Sequence, residues 1–169
     1  PKQGMTCEAD GCKGACAPPE VTTSYIGCDY YPTVTLNPVW SGFDFAVAIY
    51  DRDKRLLSQA PGLPNFLGTM GYCVEGAVKA VGEEGLSDGD IILINYPYVT
   101  GSHQEDMAVV CPVFLEGGEP VGYTAVKAHF LDIGAKDYFC SDSTDIFQEG
   151  TIFPGVKLYV AGELQEDIS

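Results

Sequence analysis

Met107-Ala-Val-Val-Cys-Pro-Val-Phe-Leu115, Glu116-Gly-Gly-Glu-Pro120 and Val121-Gly-Tyr-Thr-Ala-Val-Lys-Ala-His-Phe130 follow one another without a gap, and their reading decides the fold. Two apolar runs with β-branched content flank a Gly-Gly centre, and adjacent glycines supply the positive φ values of a tight primed turn. The segment reads as a β-hairpin. With Gly117-Gly118 as the central turn residues, or with a four-residue loop over 116–119, Glu116 faces Glu119. The same register puts Asp106 opposite His129 and His103 opposite Asp132. Pro112 has no N–H for a ladder and so implies an edge position or a bulge. Register matters here, because a slip of one residue turns every side chain to the other face of the sheet.

Working outward, Met70, Cys73, Val74, Ala77, Val78 and Val81 recur at helical spacing and predict an amphipathic helix over 69–81, stopped by Gly82. Phe43-Asp-Phe-Ala-Val-Ala-Ile-Tyr50 predicts a strand that ends in the charged turn Asp51-Arg-Asp-Lys-Arg55, and 58–68, with its prolines and glycines, predicts a loop. Ser87-Asp-Gly-Asp90 is a turn before a short buried strand at Ile91-Ile-Leu-Ile94, and a last strand is expected over 156–160. Residues 1–38 are rich in Cys, Gly, Pro and Thr without periodicity and read as an irregular, partner-contacting arm ahead of a globular domain over 39–169. The expected class is α+β: a mixed, largely antiparallel sheet with a central hairpin, one clear amphipathic helix and an irregular Cys-rich arm.

Composition narrows the function classes. A chain of 169 residues with 46% hydrophobic residues buries a real core, and its net charge of −15 repels phosphate backbones and anionic membrane surfaces. Neither nucleic acid nor membrane is an expected partner, and the absence of a long apolar run or a signal-like start points to a cytoplasmic protein. Of seven cysteines, Cys7, Cys12, Cys16 and Cys28 crowd the arm, while Cys73, Cys111 and Cys140 lie in apolar surroundings. The first four have spacings that accommodate a structural zinc, although paired C-x2-C signatures are absent; reduced cysteines in a partner-contacting segment are the alternative. Cys73 and Cys111, on helix and strand faces, read as small hydrophobes and not as nucleophiles. No G-x-S-x-G elbow and no phosphate-binding glycine-lysine loop is present.

The chemistry concentrates on the only two histidines, His103 and His129, each followed three positions later by an aspartate, Asp106 and Asp132. Imidazole with carboxylate suits a divalent metal such as zinc, manganese or iron. The same pairs also occur as hydrogen-bonded structural pairs. The hairpin register brings the two sets together at its open end, where directly opposed Cβ atoms are about 4.5–5.5 Å apart, a span that two ligands of one metal can bridge.

Gly89-Asp90 leading a strand into Asn95-Tyr-Pro-Tyr98, Gly101-Ser-His-Gln-Glu-Asp106, Ala128-His-Phe-Leu-Asp-Ile-Gly134 and Thr144-Asp-Ile-Phe-Gln-Glu-Gly150 together resemble the hydantoinase B/oxoprolinase family over residues 40 to 168. The resemblance implies a subunit of ATP-dependent enzymes that carboxylate ketones or open cyclic amides, with ATP used by a separate hydantoinase-A-type subunit. It implies that His103, Asp106 and His129 hold a divalent metal, with Asp132 as a catalytic, second-sphere or fourth-ligand carboxylate. Ser102-His-Gln-Glu-Asp106 looks closer to acetone and acetophenone carboxylases than to oxoprolinases, which tend to carry Thr-His-Leu-Pro-Asp there. Ketone carboxylation is therefore the expected reaction, with ring opening of a cyclic amide as the alternative. Tyr96 stands where the family commonly has an aspartate, which leaves open a non-catalytic structural subunit. Family subunits are several times longer, so the rest of a hydantoinase-B-type subunit is an expected partner.

Overall fold

The computed structural model describes residues 44–115, 118–130, 132–136 and 142–168. The Cys-rich arm with its candidate zinc ligands Cys7, Cys12, Cys16 and Cys28, the start of the Gly-Gly turn and Cys140 lie outside the described residues. The elements in order are β1 (Phe45–Asp51), β2 (Leu56–Gln59), α1 (Pro64–Val81), a 3-10 turn (Glu83–Gly85), β3 (Ile91–Ile94), a short helix α2 (Pro97–Thr100), β4 (Asp106–Phe114), β5 (Pro120–His129), a second 3-10 turn (Ile146–Glu149), β6 (Pro154–Val160) and β7 (Glu163–Leu164). The strands form one seven-stranded sheet in the order β2-β1-β5-β4-β3-β6-β7, and every neighbouring pair is antiparallel. The class is α+β, with the β4–β5 hairpin near the sheet's centre.

The hairpin register is the one read from the turn. Asp106 pairs with His129, Met107 with Ala128, and so on to Val113 with Gly122. At the turn end a shift between Val113 and Phe114 pairs Phe114 with Pro120. Pro112 is tolerated because β3 pairs only with Ala108, Val109 and Val110, so the proline lies beyond the doubly flanked part of β4 and beside a bulge.

Helix α1 starts five residues before its expected beginning, with Pro64 at its first turn, where a missing N–H costs nothing. Phe66, one turn before Met70, extends the buried stripe through Cys73, Val74, Ala77 and Val78. This stripe packs on the inward residues Ala46, Ala48, Tyr50, Ile92, Ile94, Ala108, Val110, Tyr123 and Ala125 to form the core. Two glycines set how closely the layers approach. A Cβ on Gly155, whose φ is +110°, would lie 2.4 Å from Ala80 Cβ, and one on Gly76 would lie 2.5 Å from a methyl of Val99. Strand β2 overlaps the loop expected over 58–68 at its last two residues, and because all four of its residues are exposed it has no buried alternation for the sequence to display.

Cys73 is fully buried and its thiol is pushed up to about 11 by desolvation, as befits a core hydrophobe; Cys111 is half-buried and also raised by burial. No helix among the described residues is long and apolar enough to cross a membrane.

Candidate metal centre

The centre is assembled where β4 begins and β5 ends. Pro97 starts α2, and Gly101, at φ +74°, caps it in the left-handed region with its N–H on Pro97 O, turning the chain into Ser102-His-Gln-Glu-Asp106. That turn is held from three sides. The buried Asn95 donates from Nδ2 to Gln104 O and Thr151 O, both at 2.8 Å, and accepts at Oδ1 from Phe153 N at 2.6 Å. Gln104, also buried, donates from Nε2 to Gly150 O at 2.7 Å. Phe130 N donates to Glu105 O at 2.6 Å, tying the turn to the end of β5. The motif Thr144-Asp-Ile-Phe-Gln-Glu-Gly150 thus has a mechanical role: Asp145 caps its 3-10 turn by accepting from Phe147 N at 2.9 Å, and Gly150 presents its carbonyl to the site turn.

Within this frame His103, Asp106 and His129 each offer one ligand atom, and these atoms lie within 4.8 Å of one another. Asp106 Oδ1 is 3.1 Å from His103 Nε2 and 3.3 Å from His129 Nδ1. The two rings are 5.0 Å apart, centroid to centroid. Asp106 and His129 form a buried floor at 1% and 8% exposure, whereas the His103 side chain is 47% exposed. Burial alone would raise the Asp106 carboxyl, but the hydrogen bonds from His103 and His129, together with the His103 charge and the Ser102 hydroxyl, outweigh it and bring it down to about 2. His103 is raised above an ordinary imidazole, chiefly by its hydrogen bond to Asp106, with burial opposing.

Two imidazoles and one carboxylate suit zinc, manganese or iron, and donor atoms 3.1 and 3.3 Å apart match adjacent donors around one ion with bonds of about 2.0–2.2 Å. The donor set therefore fits a divalent metal. Asp132 is exposed and stands outside this group, since the ladder ends at Asp106 and His129 and does not continue to oppose His103 with Asp132.

Three residues at the centre were not singled out from the sequence. Glu105, 2% exposed, places Oε2 3.3 Å from His103 Nδ1 and 3.4 Å from His129 Nε2. Lys127, fully buried on β5, donates to Ser102 Oγ at 2.5 Å, Thr69 Oγ1 at 2.9 Å and Thr100 O at 3.3 Å, with its ammonium 5.4 Å from the Phe66 ring centroid. Desolvation lowers the Lys127 ammonium, against the opposing influence of Cys73 and Asp106. Ser102 accepts from Lys127, so its own proton is directed to Asp106. A charged residue in a strand otherwise reading as core was the available signal for Lys127.

The profile of the Hydantoinase B/oxoprolinase family matches residues 39–169. The 5-oxoprolinase of Saccharomyces cerevisiae is 32% identical over 145 residues, covering 85% of this chain and 11% of its own length. Among solved structures, ATP-dependent caprolactamase from Pseudomonas jessenii matches with a TM-score of 0.66 and 32% identity over 74% of this chain and 22% of that one. The nucleotide-free structure of acetone carboxylase, described under ATP-dependent acetone carboxylation, matches with a TM-score of 0.65 and 25% identity over 78% of this chain and 18% of that one. The chain spans less than a quarter of the length of each of these relatives.

Proposed function

The chain belongs to the hydantoinase B/oxoprolinase family, and on that premise we propose that it supplies the metal-holding part of an ATP-dependent ketone carboxylase, joining an activated ketone enolate to bicarbonate-derived carbon dioxide. The observation that carries this reading is the convergence of His103, His129 and the buried Asp106 at one point. A divalent metal held there supplies Lewis-acid stabilisation of a carbonyl or enolate oxygen. The chain's own residues do the rest. Asp106 keeps its negative charge at neutral pH and aims it between the two imidazoles. His129 and Asp106 close the floor, and the half-exposed His103 leaves an approach for a small carbonyl compound from its side.

ATP use is assigned to a hydantoinase-A-type partner, in keeping with ATP-dependent relatives of which this chain matches less than a quarter. The remaining polypeptide of a hydantoinase-B-type subunit completes the assembly, in keeping with relatives several times longer. A second reading, ATP-dependent opening of a cyclic amide, is favoured by the 32% identity to an oxoprolinase and to caprolactamase, against 25% to acetone carboxylase. Carboxylation is favoured by Ser102-His-Gln-Glu-Asp106, the segment that builds the centre.

Two measurements test this. Elemental analysis of the purified assembly should find divalent metal in the wild type and almost none in His129→Ala, which loses one of three protein ligands; full metal content in both His103→Ala and His129→Ala overturns the centre. A panel of ketones and lactams with ATP and bicarbonate should then show carboxylation, while lactam opening without carboxylation selects the second reading.

A further inference from the structure

A metal takes one nitrogen of an imidazole, and the orientation of the ring is set by what accepts the N–H on the other. In this centre both rings lie between the same two carboxylates. His103 turns Nε2 to Asp106 Oδ1 at 3.1 Å and Nδ1 to Glu105 Oε2 at 3.3 Å. His129 turns Nδ1 to the same Asp106 oxygen at 3.3 Å and Nε2 to the same Glu105 oxygen at 3.4 Å. We infer that Glu105 is the positioning residue of this centre: with a metal bound, one carboxylate accepts the N–H of both imidazoles and so frees His103 Nε2 and His129 Nδ1, which otherwise donate to Asp106, to present their lone pairs to the ion. The inference rests on the metal-centre reading and assigns the orienting part to Glu105.

A carboxylate is suited to this because it only accepts, so neither ring can be turned over to receive a proton from it. An amide in its place can present its NH2 to a ring nitrogen and favour the opposite tautomer. Charge points the same way: Asp106 and Glu105 are both nearly inaccessible, and two buried carboxylates are balanced by one dication. Glu105 reaches the rings because it lies in the turn before β4, where its carbonyl accepts from Met107 N at 3.0 Å and Phe130 N at 2.6 Å. One residue further on, inside the strand, successive side chains alternate between faces.

The test uses the full chain and Zn2+. In the zinc-loaded, 15N-labelled wild type, imidazole shifts should identify Nε2 of His103 and Nδ1 of His129 as metal-bound, with protons on His103 Nδ1 and His129 Nε2. The reverse assignment puts the ion on the Glu105 side and overturns the inference without needing any variant to fold. Chelator competition should show Zn2+ affinity reduced by about 10–100-fold in Glu105→Gln; an unchanged affinity also overturns it. A wild type that takes up no zinc brings down the metal-centre reading and this inference together, whereas a wild type that binds alongside an equally tight Glu105→Gln protein brings down the inference alone.

Discussion

Two buried aspartates of this sheet face different company. Asp90, 1% exposed, accepts at Oδ2 from Ser87 N at 2.7 Å and from Lys157 Nζ at 2.6 Å, and at Oδ1 from Ala161 N at 2.9 Å. Backbone amides and a lysine consume its lone pairs, and it ties the β3 entry to the end of β6. Asp106, equally buried, is met by two imidazoles and a serine hydroxyl. Both carboxyls are held below their usual range even though burial pushes each of them up, so the direction of a shift does not separate them. What separates them is partner chemistry: amides and ammonium have nothing to give a metal, whereas imidazole does. Gly89-Asp90 is therefore held by structural contacts, and Gly101-Ser-His-Gln-Glu-Asp106 is the segment that groups a carboxylate with imidazoles.

The contrast is broken most sharply at Asp106. Asp106→Ala should abolish metal uptake as completely as loss of a histidine ligand, while Asp90→Asn should leave metal content intact; elemental analysis of both decides it. Loss of metal in Asp90→Asn, with the fold retained by circular dichroism, would merge the two corners into one site.

Stability should show the opposite order. Asp90→Asn leaves Lys157 without its anion and should cost about 2–3 kcal/mol in denaturant unfolding. The folded carboxyl of Asp90 is depressed, so its contribution is present above the unfolded value of about 4 and is lost as pH falls through the lower folded value. Unfolding curves across that acidic window should be steeper in pH for wild type than for Asp90→Asn.

Smaller effects sharpen the metal side. Lys127→Met removes a buried cation and leaves Thr69 Oγ1, Thr100 O and Ser102 Oγ without their donor, so unfolding free energy should fall by about 1–3 kcal/mol. Its loss removes the donor that directs the Ser102 hydroxyl to Asp106 and should weaken metal binding by about tenfold, read by chelator competition. The smallest expected change in metal affinity belongs to Asp132→Asn, since that carboxylate is exposed and outside the ligand group. If turnover falls while metal content holds, Asp132 acts on the substrate; if neither moves, it has no part in the site.

Much of the fold was legible because its signals are local and periodic. The register expected from the Gly-Gly centre matches the ladder from Asp106 to Val113, though not at the turn end, and the helical stripe from Met70 to Val78 matches the buried face of α1. The first turn of α1 was hidden by Pro64, a residue that both breaks and begins helices. Strand β2 was hidden because an exposed edge has no alternation to display.

The sequence pointed to Asp106 facing His129 by counting from the Gly-Gly centre, and the ladder agrees because it shifts by one between Val113 and Phe114: counted from Phe114 opposite Pro120, Asp106 would face Ala128. It could also name His103, through its place in a recognisable segment. Only the tertiary structure decided that Glu105 joins them. Alternation along an extended strand would send Glu105 to the opposite face from Asp106, and the chain escapes that rule by remaining in a turn until Asp106. Asn95, Gln104 and Gly150 hold that turn from segments distant in sequence. The same contacts end the ladder before His103 can meet Asp132, because hydrogen bonds from outside the hairpin, and not its register, fix the chain there.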